Sequence, residues 1–203
     1  MTMIPTLFGE ERPSWNQRSN IALYIAKAIS YLHEGCRTQI IHCDIKPQNI
    51  LLDDCYSAHI SDFGLAKLLA MNQSFTNTGI RGTKGYVAPE WFRNTPVTVK
   101  VDVYSYGVLL LEIISCHKSV KDNESGDEYG VILTDWVWDC YQDKTLEALD
   151  DYKKLTKFMM VGLWCVQENP SLRPTMRKVI QMLEGVIEVS KPPCPFPFSV
   201  ILN

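Results

Sequence analysis

The stretch from Val101 to Ser115 reads V-D-V-Y-S-Y-G-V-L-L-L-E-I-I-S. As a helix it is apolar on nearly every side, so it belongs at the buried centre of a domain rather than on a surface. It is no membrane span, because crossing a bilayer takes ~20 apolar residues. The longest apolar run, Tyr106 to Ile114, is too short and contains Glu112. With 203 residues, 46% hydrophobic and 21% charged, the chain has the length and composition to bury such a helix in one domain.

The rest of the chain supplies elements to surround it. Residues 13–34 predict a helix, with Pro13 and Ser14 at its start and apolar positions at Ile21, Ala22, Ile25, Ala28, Ile29 and Leu32. Gly35 is placed to end it. Short β-type runs are expected at Gln39–His42, Asn49–Leu52 and His59–Ser61. Residues 62–100, rich in Gly, Asn, Thr and Ser, read as one long loop, a kind that is usually functional in a compact domain. Residues 116–130 read as polar and exposed. Further helices are expected at Leu133–Tyr141, Leu155–Val166 and Pro174–Val189. Prolines at 192, 193, 195 and 197 keep the tail out of helix and central strand. Trp91, Trp136, Trp138 and Trp164 read as core, and His33, His59 and His117 as surface or packing histidines.

Charge and cysteines exclude several classes. The net charge of −3 gives no electrostatic hold on nucleic acid or an anionic membrane. Seven cysteines, none in C-x-x-C spacing, argue for reduced thiols rather than zinc or a disulfide framework. The first residues show no basic stretch followed by an apolar one, so no signal peptide is expected.

The chemistry-bearing residues sit in the loop-rich centre. His42-Cys43-Asp44-Ile45-Lys46-Pro47-Gln48-Asn49 is followed, 13 residues after Asn49, by Asp62-Phe63-Gly64. Glu90 lies 28 residues after Asp62 and closes Ala88-Pro89-Glu90. Taken singly, Asp44, Lys46, Asn49 and Asp62 are ordinary turn residues. The ordered set H-x-D-x-K-x-x-N, D-F-G, A-P-E has no such bland reading.

With these motifs the chain resembles the C-terminal lobe of a eukaryotic protein kinase, and more closely the plant receptor-like kinases with an S-domain (G-type) lectin ectodomain. The carrying stretches are Ile40–Leu52, Ile60–Lys67, Gly82–Trp91, Val101–Ile114 and Leu163–Met176. The resemblance implies a protein-kinase-like α+β fold: a mostly α-helical C-terminal lobe with short β hairpins around the catalytic loop. It assigns residues 1–190 to that lobe and 191–203 to a Pro-rich tail. It implies a Ser/Thr kinase using ATP and Mg²⁺ on a protein substrate. Phosphoryl transfer asks the protein for positioning and charge stabilisation more than for covalent chemistry. Asp44 matches the catalytic Asp that accepts the substrate hydroxyl proton, and Lys46 the Lys that reaches the transferred phosphate. Asn49 and Asp62 match the oxygen ligands of Mg²⁺. Thr83 matches the substrate-loop Thr that contacts the catalytic Asp and Lys. His42, Phe63 and Gly64 support the loops. Glu90 matches the partner of a late Arg, here Arg173, and Asp102 the carboxylate that receives backbone N–H groups of the catalytic loop.

The sequence departs from that family twice. Cys43 replaces the Arg that would pair with an activation-loop phosphate, so the loop is expected to depend less on phosphorylation at Ser74, Thr76 or Thr78. The second departure is at the front. Only 43 residues precede Asp44, with no G-x-G-x-x-G and no V-A-I-K lysine. The N-terminal lobe is thus expected to be missing, the isolated chain to be inactive and the sequence to be a truncated or partial one. Its partners would be that lobe or other kinases, with membrane attachment only through upstream segments. The chain itself would be cytoplasmic, and a full receptor would sit at the cytoplasmic face of the plasma membrane. The second class of function is a non-catalytic lobe acting as an interaction protein.

Overall fold

The computed structural model describes residues 2–3, 13–69, 81–93, 95–116, 133–142 and 152–195. The expected polar segment 116–130 lies almost wholly outside them, as do His117, Ser74, Thr76, Thr78 and the tail from residue 196. In chain order the described elements are β1 (Thr2–Met3), α1 (Trp15–Ser30), β2 (Gln39–Ile41), β3 (Ile50–Leu52), β4 (Ala58–Ile60), β5 (Lys67–Leu69), α2 (Lys100–Ser115), α3 (Leu133–Gln142), α4 (Tyr152–Cys165) and α5 (Met176–Glu184).

Helix α1 starts at a capping box. Gln17 N donates to Ser14 Oγ (3.3 Å), and Ser14 N donates to Gln17 Oε1 (2.9 Å). Its buried face is Ile21, Ala22, Ile25, Ala26 and Ile29. The helix continues as a widened π turn over Tyr31–Gly35, closed by Cys36 N donating to Tyr31 O at 3.0 Å. A Cβ at Gly35 would stand 2.5 Å from the exposed Tyr31 ring, which would have to swing away.

Helix α2 is the enclosed element its composition predicts. All its residues from Val101 to Ile114 except Tyr104 are buried. Tyr106 reaches from it to donate to Ala22 O of α1 (3.0 Å). Helix α4 crosses α2 at two glycines. A Cβ at Gly107 would fall 2.6 Å from Cys165 Cβ, and one at Gly162 would fall 2.5 Å from Leu111 Cδ2. Helix α3 packs against α2 and α4, and α5 against α1 and α4. One large apolar core joins these helices to Ile45, Ile50 and Leu52.

Strands frame the loops. β1, β3 and β4 form an antiparallel sheet in the order β1-β3-β4, with Ile50 opposite Ile60 and Leu52 opposite Ala58. β2 and β5 pair antiparallel, with Ile41 opposite Lys67.

The long loop expected over 62–100 is therefore interrupted. β5 is three residues held by a distant partner, β2, which no local pattern announces. The last helix is shorter than the expected Pro174–Val189. It starts after the Thr175 cap and stops at Glu184, because Gly185 turns left-handed at φ +77°. All seven cysteines are free thiols. Trp91 is buried, whereas Trp136 is 37% exposed.

Gly107→Ala should force α2 and α4 apart. We expect a loss of about 1–3 kcal/mol, read as a drop of several degrees in Tm, with an unchanged melting curve contradicting the close crossing.

Candidate active site

The loop from His42 to Asn49 hangs from one carboxylate. Asp102 sits in the first turn of α2, fully buried, where the helix N-terminus favours negative charge. Its Oδ2 accepts from His42 N (2.8 Å) and its Oδ1 from Cys43 N (2.8 Å). His33 Nε2 lies 2.8 Å from Oδ2 and donates, because a carboxylate offers only lone pairs. A buried carboxylate needs such donors to offset its lost hydration.

The sequence reads His33 as a surface or packing histidine with no partner pattern; it is buried as a packing residue, and its partner is Asp102. Its signal was present in the helix period. Ala22, Ala26 and Ile29 are fully buried, and position 33 follows Ile29 at i+4, so a polar group there points into the core. The π turn carries it, and such turns occur often at functional sites.

His42 is buried and turned by two bonds. Its Nδ1 accepts from Asp44 N (3.3 Å), so its Nε2 carries the proton donated to Ser61 O (3.1 Å). Its ring meets Phe63 edge-on at 4.9 Å between centroids. Cys43 takes a left-handed φ of 68°, unusual for a residue with a Cβ. Burial, with Asp102 beside it, pushes the Cys43 thiol up to about 12. It is a neutral packing group and no nucleophile.

Asp44, Lys46, Asn49 and Thr83 form one cluster. Thr83 Oγ1 donates to Asp44 Oδ1 (2.8 Å), and Lys46 Nζ donates to Thr83 Oγ1 (2.8 Å). Lys46 Nζ also pairs with Asp44 Oδ2 at 2.8 Å. Asn49 Nδ2 donates to Asp44 O (2.9 Å) and to Asp44 Oδ2 (3.0 Å). Burial acts to raise the Asp44 carboxyl. The hydrogen bonds from Lys46, Thr83 and Asn49, with the Lys46 charge, outweigh it and hold the group below its ordinary value.

The β3–β4 hairpin brings Asp62 to the same end. Ser61 N and Oγ both donate to Asn49 O (2.8 and 3.0 Å), so the chain leaves β4 beside Asn49. Asp62 is exposed, left-handed at φ 59°, and its Oδ1 accepts from Gly64 N (3.2 Å). Asn49 spends only Nδ2 on Asp44, so its amide oxygen faces away from those bonds. An amide oxygen and an exposed carboxylate suit a hard cation whose remaining ligands are phosphate and water. Among the described residues no group of three or more His, Cys, Asp or Glu is arranged to hold a metal by itself.

Two braces hold the Gly82–Trp91 segment. Arg173 and Glu90, both buried, pair in a fork: Nη1 to Oε1 at 2.6 Å and Nη2 to Oε2 at 2.8 Å. Arg173 also donates to the carbonyls of Gln167 (2.7 Å), Lys100 (2.9 Å) and Glu168 (3.3 Å), so all five of its N–H groups are used. The second brace is Tyr86, whose hydroxyl donates to Glu112 at 2.8 Å and whose carbonyl accepts from Ser105 Oγ at 2.7 Å.

A profile of the protein kinase domain matches residues 8–183. The chain belongs to the protein kinase family. It is 56% identical over 206 residues to the G-type lectin S-receptor-like serine/threonine-protein kinase RLK1 of Arabidopsis thaliana, covering 98% of this chain and 24% of that protein. The rice (Oryza sativa subsp. japonica) proteins LECRK2 and LECRK1, named as the same type of kinase, are 55% and 54% identical over 93% and 95% of this chain, and 24% of each is covered. The chain thus spans about a quarter of the length of these curated relatives. No helix among the described residues is long and apolar enough to cross a membrane.

Two predictions follow from the geometry. Arg173→Met leaves Glu90 buried and unpaired and should cost about 3–5 kcal/mol; Arg173→Lys should not rescue it, since an ammonium cannot form the fork. Urea denaturation midpoints within error of the parent would contradict this. The carboxyl ¹³C signal of Asp44 should titrate with a midpoint below that of an ordinary aspartate. Its folded value is depressed, so the stability it adds is present above the unfolded carboxylate range and drains away only as pH falls through the folded value. A midpoint above the usual range would contradict the cluster.

Proposed function

We propose that this chain carries the catalytic half of a protein serine/threonine kinase domain, transferring the terminal phosphoryl group of ATP to a protein hydroxyl. The observation that supports it most is the Asp44–Lys46–Asn49–Thr83 cluster. Each Asp44 oxygen has two lone-pair positions. Oδ2 accepts from Lys46 and Asn49, and Oδ1 accepts from Thr83 alone. One position on Oδ1 remains for the substrate hydroxyl, beside Thr83. Asp44 orients that hydroxyl and takes its proton. Its low basicity is no obstacle, since a loose transition state asks for little proton removal before the phosphoryl group has moved. Lys46, one of whose three donors faces Asp44 and another Thr83, has a third for a phosphate oxygen. Asn49 and Asp62 would hold Mg²⁺, which when bound neutralises charge on the phosphate oxygens. Glu90, Arg173 and Asp102 are scaffold, as are His42, Phe63 and Gly64.

Residues 1–190 form the C-terminal lobe in this reading, and 191–203 a Pro-rich tail. The phosphate-gripping Gly-rich loop and lysine are to be supplied by sequence other than these residues. In this reading the whole protein would act as a receptor-like kinase at the cytoplasmic face of the plasma membrane. A second reading, a non-catalytic lobe that binds other kinases, is favoured by the lack of G-x-G-x-x-G and V-A-I-K in the chain.

In the full-length protein Asp44→Asn should lower ATP-dependent phosphate incorporation by about 10²–10⁴-fold in protein that circular dichroism shows to be folded. Undiminished transfer would remove Asp44 from the chemistry. Transfer absent from the unaltered full-length protein would favour the non-catalytic reading.

A further inference from the structure

The chain after α5 is held against α4 in a pattern that repeats every three residues. Gly185 turns it out of α5 at φ +77°, and residues 188–195 are neither helix nor strand. Trp164 Nε1 donates to Ser190 O (2.9 Å), and Gln167 Nε2 donates to Pro193 O (3.1 Å). The two donors are three residues apart, and so are the two carbonyls. The inward side chains keep the same step. Val189 packs against the core, and Pro192 and Pro195 are buried, while Ser190, Lys191 and Pro193 face water. Three residues per turn, with no internal hydrogen bonds, is the repeat of a polyproline II helix. Prolines 192, 193 and 195 fix φ close to the value it needs, and each keeps the residue before it extended.

The receiving face is made for backbone. Trp164, read as core in the sequence, is half-buried and spends its indole N–H on a peptide carbonyl. Gln167 is buried, and both hydrogens of its amide are used. One is donated to Leu163 O (2.9 Å), which anchors the amide on α4 and aims the other at Pro193 O. Among the described residues no hydrogen bond reaches a side chain of residues 188–195.

We propose that Trp164 and Gln167 form a binding site for polyproline II segments. The chain's own residues 189–195 fill it at rest, and a segment of another protein with prolines three residues apart displaces them. Any such segment offers the same carbonyls and proline faces. The tail's advantage is its tether, which sets an effective concentration in about the millimolar range. A competitor has room to gain more contact than the tail makes. Between residues 185–189 and α4 a groove of about 450 Å³ remains, walled by Met160, Ile187 and Val189 and edged by Lys153 and Lys157. None of these residues belongs to the Asp44 cluster, and the binding does not rest on the kinase reading.

Cys194 is a free thiol, half-buried while the tail is bound, so its alkylation reports release. In the full-length protein, a synthetic peptide of residues 187–195 carrying Cys194→Ser, at about millimolar concentration, should speed alkylation of Cys194 at least about twofold. The same peptide with Pro192→Ala and Pro195→Ala should leave the rate unchanged. Trp164→Phe, which keeps a ring and loses the donor, should speed alkylation about three- to tenfold without peptide, the order of one hydrogen bond. Acceleration by Trp164→Phe but not by the peptide would make the tail a fixed part of the fold and overturn the site. Equal acceleration by the alanine peptide, or a rate indifferent to Trp164→Phe, would overturn it too. A rate that rises with protein concentration in the absence of peptide would replace the foreign partner with the tail of a second copy.

Discussion

Asp102 is the residue on which the rest of the site depends. One buried carboxylate on the first turn of α2 gathers His33 from the end of α1 and the backbone of His42 and Cys43 from the loop. The carboxylate is tolerable in the core because three donors and a helix N-terminus replace its water. The same bonds hold Cys43 in a left-handed conformation that a residue with a side chain seldom adopts. That turn aims Asp44 out of the core and toward Thr83.

Helix α2 serves both sides of the site. Its first turn carries the His42–Asn49 loop through Asp102, and Lys100 O accepts from Arg173. Farther along, Ser105 and Glu112 hold Tyr86, so the segment bearing Thr83 is referred to the same rigid bar. Lys46 and Asp44 then meet Thr83 between two segments that share one support. The buried Arg173–Glu90 pair extends this frame to the C-terminal helices. It is stable only because every guanidinium donor has an acceptor.

Much of this was legible in the sequence. The apolar run of α2 showed its central position, and the order of His42–Asn49, Asp62–Gly64 and Ala88–Glu90 pointed to residues that the fold does bring together, apart from the exposed Asp62 carboxylate, placed by the hairpin alone. The features that the sequence does not carry are non-local. β5 exists because β2 lies beside it, and three residues of Lys-Leu-Leu carry no period of their own. The partner of His33 carries no sequence pattern of its own, although the spacing from Ile29 puts the residue on the buried face. The stop at Gly185 was readable but overrun by an apolar pattern that continues to Val189.

The most direct test of the account is hydrogen exchange in Asp102→Asn, which keeps the shape of the side chain and removes its charge and one acceptor. The amides of His42 and Cys43 should lose protection by about tenfold or more while those in the middle of α2 keep theirs. Unchanged protection at His42 and Cys43 would mean that the loop is held by something other than this carboxylate.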